Sequence, residues 1–252
     1  MLTMTIPRRF CGPPNSGNGG YVCGMLGKHI PGAAEVTLRA PPPLEKTLAV
    51  IDKDDGSREL RDDDLAIAVG RPASLDLRHV ERASLAEAAK AEQTPVVKPH
   101  EHLLPMCFVC GPHRAPGDGL RIGAGMLARP VAGGSAAVAA TWTPSADLGG
   151  SDGLVSPEFL WAALDCPTGY ACSCDRNSGT FDQSPILLGR MTARIEARPR
   201  PGERCVITAW ETGRDGRKRV AEAAAHGESG TLLAVARATW IVVDRQVQLG
   251  RA

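Results

Sequence analysis

The chain has 252 residues, 43% hydrophobic and 23% charged, and is long enough for one large domain or two small ones. A net charge of +1 and an aromatic content of only 4% argue against nucleic-acid and membrane-surface binding. No apolar run approaches the roughly 20 residues that span a bilayer, and eight cysteines behind a start with no long apolar core read as thiols in a reducing, cytoplasmic setting.

The first element follows a glycine-rich loop, GPPNSGNGG, residues 12–20. Val22, Met25, Leu26 and Ile30 then recur at helical spacing until Pro31-Gly32 stops the helix. Four extended segments come next (AEVTLRAP, KTLAVID, SRELRD and LAIAVGRP), separated by Pro41-Pro42-Pro43, Asp54-Asp55-Gly56 and the acidic turn Asp62 to Asp64. VERASLAEAAKAEQ is rich in helix formers, and TPVVKPHEHLLP has the prolines and charges of a linker.

Beyond it, GLRIGAGMLARP and SAAVAATWTP alternate like strands. A second helix starts at Ser156 as N-cap and Pro157 at the first helical position, and runs into EFLWAALD. Pro167 disfavours helical geometry just before it, which would leave Asp165 at a kink or at the helix end. Four more strands are expected in PILLGRMTARIEARP, RCVITAWETG, RKRVAEAAAHG and TLLAVARATWIVVD, with a hairpin turn at Arg214-Asp215-Gly216. Both halves thus share one order: loop, helix, four strands. A helix against a bent antiparallel sheet is an α+β layer, and two such units can join their sheets and hide edge strands.

Three stretches carry a resemblance to the hotdog-fold acyl-CoA thioesterases. GNGGYVCGMLG resembles the glycine pair that opens that family's central helix, with Asn18 where histidine is usual. VTLRAPPPLEKTLAV is similar to the strand, proline and strand that follow in tandem members. CFVCGPHRAPGDGLRI and EFLWAALDCPTGYA resemble the opening and the acid-bearing central helix of single-domain members. The resemblance implies an α+β tandem double hotdog, each half a central helix wrapped by a bent antiparallel sheet: an N-terminal unit over 1–95, a linker over 96–106 and a C-terminal unit over 107–252.

Family members carry an acid seven positions after the second glycine. From Gly20 that count lands on Gly27, followed by Lys28. Counting back from Asp165 lands on Glu158, within Ser156-Pro157-Glu158. Each half keeps what the other lacks, so the resemblance implies one complete site between the halves. There Gly19 supplies the main amide for a thioester carbonyl, with Gly20 assisting and Asn18 capping the helix. Asp165 acts as general base or nucleophile, and Thr168 holds a water. Asn15, Tyr21 and Trp161 are expected on the substrate side with Gly20. The implied activity is hydrolysis of an acyl thioester, on CoA or a carrier protein, with no cofactor or metal and with further association of chains.

Other readings of the same residues differ in class. A non-catalytic acyl-CoA or lipid-binding module would keep the glycine cradle and lose the chemistry. A hydratase or dehydratase would want an Asp-His pair, and only His29 lies near a helix, at its far end. Gly149-Gly150-Ser151-Asp152-Gly153 with His226 downstream matches a serine-hydrolase pattern but lacks the strand immediately before and the helix immediately after. Cys107-x-x-Cys110 and Cys172-x-Cys174 suggest a four-thiolate zinc site, against which stand the unusual second spacing and the packing value of free cysteines.

Overall fold

A computed structural model describes residues 2–131, 136–174, 181–182 and 184–250. Strand β1 (Leu2–Thr5) leads to helix α1 (Gly19–Gly27), then β2 (Ala34–Leu38), β3 (Thr47–Asp52), β4 (Arg58–Asp62) and β5 (Leu65–Pro72). Helix α2 (Leu85–Ala91) precedes the short β6 (Gly125–Met126) and β7 (Ala137–Trp142). Helix α3 (Pro157–Ser173), strands β8 (Ile186–Ile195), β9 (Cys205–Asp215), β10 (Lys218–Gly227) and β11 (Leu232–Val242), and a last turn α4 (Arg245–Gln248) complete the chain.

The strands form one antiparallel sheet in the order β1-β3-β4-β5-β2-β8-β11-β10-β9-β7-β6. The first five come from residues 2–72 and the last six from residues 125–242. They meet where β2 pairs with β8, in a register that sets Val36 opposite Met191 and Glu35 opposite Thr192. Met191 and Val36 point into the core and are fully buried, whereas Glu35 accepts from Thr192 Oγ1 at 3.3 Å on the other face. The period-2 pattern thus fixes which face of the junction is dry.

Helices α1 and α3 both pack against this sheet. α1 is apolar nearly all round and buried from Gly20 to Gly24, and α3 is buried over most of its length, as a core helix must be. The two pack directly on each other. A Cβ at Gly20 would lie 2.4 Å from Asp165 Cβ, one at Gly24 would lie 2.6 Å from Glu158 Cα, and one at Gly27 would lie 2.7 Å from the Trp161 ring. Gly20, Gly24 and Gly27 therefore form a stripe that lets α3 sit against the α1 backbone. Alanines in β10 play the same part on the sheet side: Ala221, Ala223 and Ala225 are fully buried in the cluster that holds α3.

Several expectations need correction. α3 does not end near Pro167 but runs on to Ser173, so Asp165 is mid-helix; Pro167 only withholds one N–H from the ladder, and dense packing on both sides keeps the turn helical. GLRIGAGMLARP contributes only two strand residues, because the Leu120 and Ile122 amides bond the carbonyls of Phe108 and Val109 instead of a neighbouring strand. Helix α2 is shorter than its composition implies, beginning at a Ser84–Glu87 capping box. It lies against β7 and β9, where Ala88 and Ala91 join a second apolar cluster with Val206 and Trp210. Among the described residues, no helix is long and apolar enough to cross a membrane.

Candidate active site

The N-terminus of α1 can be accounted for donor by donor. Asn18 caps it, its Oδ1 accepting from Tyr21 N–H at 2.9 Å. The Val22 amide bonds the Asn18 carbonyl. The Gly20 amide donates to Asp165 Oδ2 at 3.0 Å, and Asn18 Nδ2 donates to the same oxygen at 2.9 Å. Of the first-turn amides, that leaves Gly19 N–H without a partner among the described residues. The other carboxylate oxygen, Asp165 Oδ1, is buried and also has no partner there.

The two residues that carry these groups, Gly19 and Asp165, both line one cavity of about 440 Å³. Its wall takes Gly19 and Leu38 from the first half and Asp165, Leu188 and Trp240 from the second. Leu188 and Leu38 press so closely on Gly19 that a Cβ there would meet them at 3.0 and 3.3 Å. Burial raises the Asp165 carboxyl to about 7; the Gly20 amide pulls the other way, Cys107 adds to the rise, and the Asn18 amide opposes it. The arrangement can accept a proton at Oδ1 and donate a hydrogen bond from Gly19 to an oxygen that gains charge.

The structure brings Asn18, Gly19 and Asp165 together but sorts the other sequence candidates differently. Gly20 is spent on Asp165 rather than on a ligand. Thr168 is fully buried and outside the cavity wall: its hydroxyl donates to the Asp165 carbonyl at 2.6 Å and accepts from Trp240 Nε1–H at 2.9 Å. Trp161 packs on Gly27 and Gly24 in the helix interface, away from the cavity wall. Tyr21 stacks on Phe10, ring centroids 4.2 Å apart, inside an aromatic cluster with Phe108 and Phe159. Asn15 is exposed and does not border the cavity.

The pseudo-equivalent position at the start of α3 is chemically different. Pro157 stands where Gly19 would offer its N–H, and Lys28 stands near where an acid would be. Lys28 Nζ instead pairs with Glu158 Oε1 at 2.9 Å, bridging the two helices with a part-buried ion pair.

Two other motifs resolve clearly. Ser151 lies in an exposed loop between the end of β7 and the start of α3, so it is not a strand-to-helix nucleophile. Cys172 and Cys174 lie at the end of α3, where their carbonyls accept from Arg214. They do not join Cys107 and Cys110. The third thiol in that cluster is Cys166. Sequence alone carried no sign of the cavity's Leu188 or Trp240, which lie in ordinary strand patterns.

No protein-family model matches this chain, and no curated protein does. Solved structures do match. The TesB protein of Mycobacterium avium subspecies paratuberculosis is 10% identical, with a TM-score of 0.63 over 96% of this chain and 92% of that one. A protein with a hot dog fold from Alicyclobacillus acidocaldarius is 12% identical, with a TM-score of 0.61 over 96% and 92%. The acyl-CoA thioesterase II TesB2 of Mycobacterium marinum is 11% identical, with a TM-score of 0.54 over 84% and 80%. The chain therefore has the hotdog fold, matched along nearly its whole length.

Proposed function

We propose that this chain is a tandem pair of hotdog units that hydrolyses an acyl thioester at one site between α1 and α3. One observation carries this reading: Asp165, whose Oδ1 has no partner, and Gly19, whose N–H has none among the described residues, line the same largely apolar cavity. Solved neighbours titled TesB and acyl-CoA thioesterase II support it by fold.

In this mechanism the thioester carbonyl oxygen takes a hydrogen bond from Gly19 N–H at the positive end of α1. Asp165 Oδ1 removes a proton from water as the water oxygen bonds the carbonyl carbon. Collapse of the tetrahedral species breaks the carbon–sulfur bond, and the proton held on Asp165 passes to the departing thiolate. Asn18 and Gly20 hold the carboxylate still through Oδ2 and leave Oδ1 to react. An apolar wall of Leu38, Leu188 and Trp240 suits an acyl chain or ring. The mirror-image site is inactive in this reading, with Pro157 in place of a donor and the Lys28–Glu158 pair in place of a base.

The test is thiol release from a panel of short, long and aromatic acyl-CoA substrates by wild type and Asp165→Asn. Turnover by wild type with a loss of roughly a hundredfold or more in the variant is expected. Binding of acyl-CoA without thiol release from either protein would instead identify a thioester-binding module.

A further inference from the structure

Beside Asp165 and Asn18, three thiols converge on the wall of the same cavity. Cys107 and Cys110 come from the turn after residue 104, and Cys166 comes from α3. Cys107 and Cys166 are buried and Cys110 is half-buried, and their sulfur atoms lie within 4.8 Å of one another. We propose that Cys107, Cys110 and Cys166 form a three-thiolate zinc site whose fourth position opens on the cavity.

Geometry supports the assignment first. Two thiolates on one tetrahedral zinc, each about 2.3 Å from the ion, stand about 3.8 Å apart. Cys107 and Cys166 sulfurs stand 3.9 Å apart. Thiols merely filling space carry no such requirement.

The turn is built around the Cys107 sulfur. Asn18 Nδ2 approaches it at 3.8 Å. The Gly111 amide closes the turn on the Cys107 carbonyl at 2.9 Å. A Cβ at Gly111 would lie 2.5 Å from that carbonyl oxygen and 2.6 Å from the Pro105 carbonyl, so the turn can be this tight only with glycine there.

The surroundings fit as well. Tyr170 packs against Cys110 with its hydroxyl 3.1 Å from His102 Nε2. The Leu104 amide donates to His102 Nδ1, which fixes the ring as an Nε2–H donor to Tyr170. Soft sulfur donors select zinc over magnesium and calcium, and three ligands with an open fourth position are the pattern of an accessible ion rather than a closed structural one.

The deciding experiment uses the full chain, purified anaerobically with a thiol reductant from zinc-supplemented cells. Elemental analysis should find about one zinc per chain. Cobalt(II) should replace it with intense thiolate-to-metal charge-transfer absorption and the strong visible bands of a tetrahedral ion. Cys166→Ser should weaken zinc binding by more than about a hundredfold, beyond what the loss of an outer hydrogen-bond partner costs. Cys205→Ser, altered on β9 and outside the cluster, should bind as wild type does. If Cys166→Ser does not fold, competition of the wild type against a chromophoric zinc chelator and the cobalt spectrum still decide. Absence of zinc with no cobalt–thiolate band overturns the proposal. So does copper(I) in place of zinc, or a disulfide within the cluster in protein that binds no metal after reduction.

Discussion

The Gly20 amide and the Asp165 carboxylate are 145 residues apart in the chain and meet at 3.0 Å. A side chain at Gly20 would occupy the space that Asp165 Cβ fills. What comes so close to the helix start at this position is therefore the second central helix. The gap left for a ligand belongs to the preceding residue, Gly19, whose N–H has no partner among the described residues.

The two members of the glycine pair should separate by substitution. Gly19→Pro removes the free N–H at a position where proline suits a helix, and Pro157 occupies the corresponding place in α3. Gly19→Ala keeps the N–H and adds only a methyl against Leu188 and Leu38. Thioester hydrolysis should fall by about 10²–10³ in kcat for the proline variant and by much less for alanine. Equal kcat losses in both would mean that crowding matters, not the amide.

Asp165 gives a pH dependence of stability with a definite sign. Burial raises its carboxyl to about 7 in the folded chain, against about 3.9 when unfolded. Between those values the folded state holds a proton that the unfolded state has released. The contribution of Asp165 is thus fully present below pH of about 4 and is lost as pH rises through about 7. Asp165→Asn does not titrate, so in metal-free protein it should gain on wild type across that window. The gain approaches about 4 kcal/mol at most by pH 8, at about 1.4 kcal/mol per pKa unit. Urea midpoints between pH 4 and 8 measure it, and a constant gap would refute it.

Activity should follow the opposite course. Only the ionised carboxylate takes a proton from water, so kcat/KM of the metal-free protein should fall about tenfold per pH unit below about 7 and level off above it. A flat profile down to pH 5 would remove Asp165 from the role of base.

Gly24→Ala should be costly for a different reason. The added methyl meets the Glu158 backbone at 2.6 Å, and a backbone cannot rotate away as a side-chain tip can. Forcing α1 from α3 should cost about 1–3 kcal/mol or more. Gly32→Ala is a poor control despite its open surroundings, since its φ of +74° adds strain of its own. Gly213→Ala, with nothing within 4 Å and no such φ, should cost less than about 1 kcal/mol by the same denaturation measurement.

The Lys28–Glu158 pair joins an exposed lysine to a buried carboxylate. Lys28→Met strands the Glu158 carboxylate, which is only 8% exposed, and should cost about 1–3 kcal/mol. Adding Glu158→Gln should recover part of that loss, a coupling that a double-mutant cycle reads directly. Simple additivity of the two changes would show the pair to be energetically idle.

Local chemistry made much of this protein legible from its residues. Asn18 before a glycine pair, Ser156-Pro157 before an apolar run, and most of the alternating strands between turn residues specify an element through capping, fixed φ or period and formed where expected, GLRIGAGMLARP being the exception. The repeated order of helix and strands also carried the two-part arrangement of the sheet, because each half needs a partner for its edge. Tertiary structure decided what those elements could not show separately. Pro167 sits inside a continuous helix because packing from both sides outweighs one lost hydrogen bond. Thr168 and Trp161 sit in the core because α3 is enclosed on every side. Cys166, rather than Cys172 or Cys174, meets Cys107 and Cys110 because a helix residue's partners depend on where its face points across the fold. Spacing along a chain fixes local geometry, but contact between residues 145 apart is set by how two helices cross, and that crossing depends on the packing of the whole sheet around them.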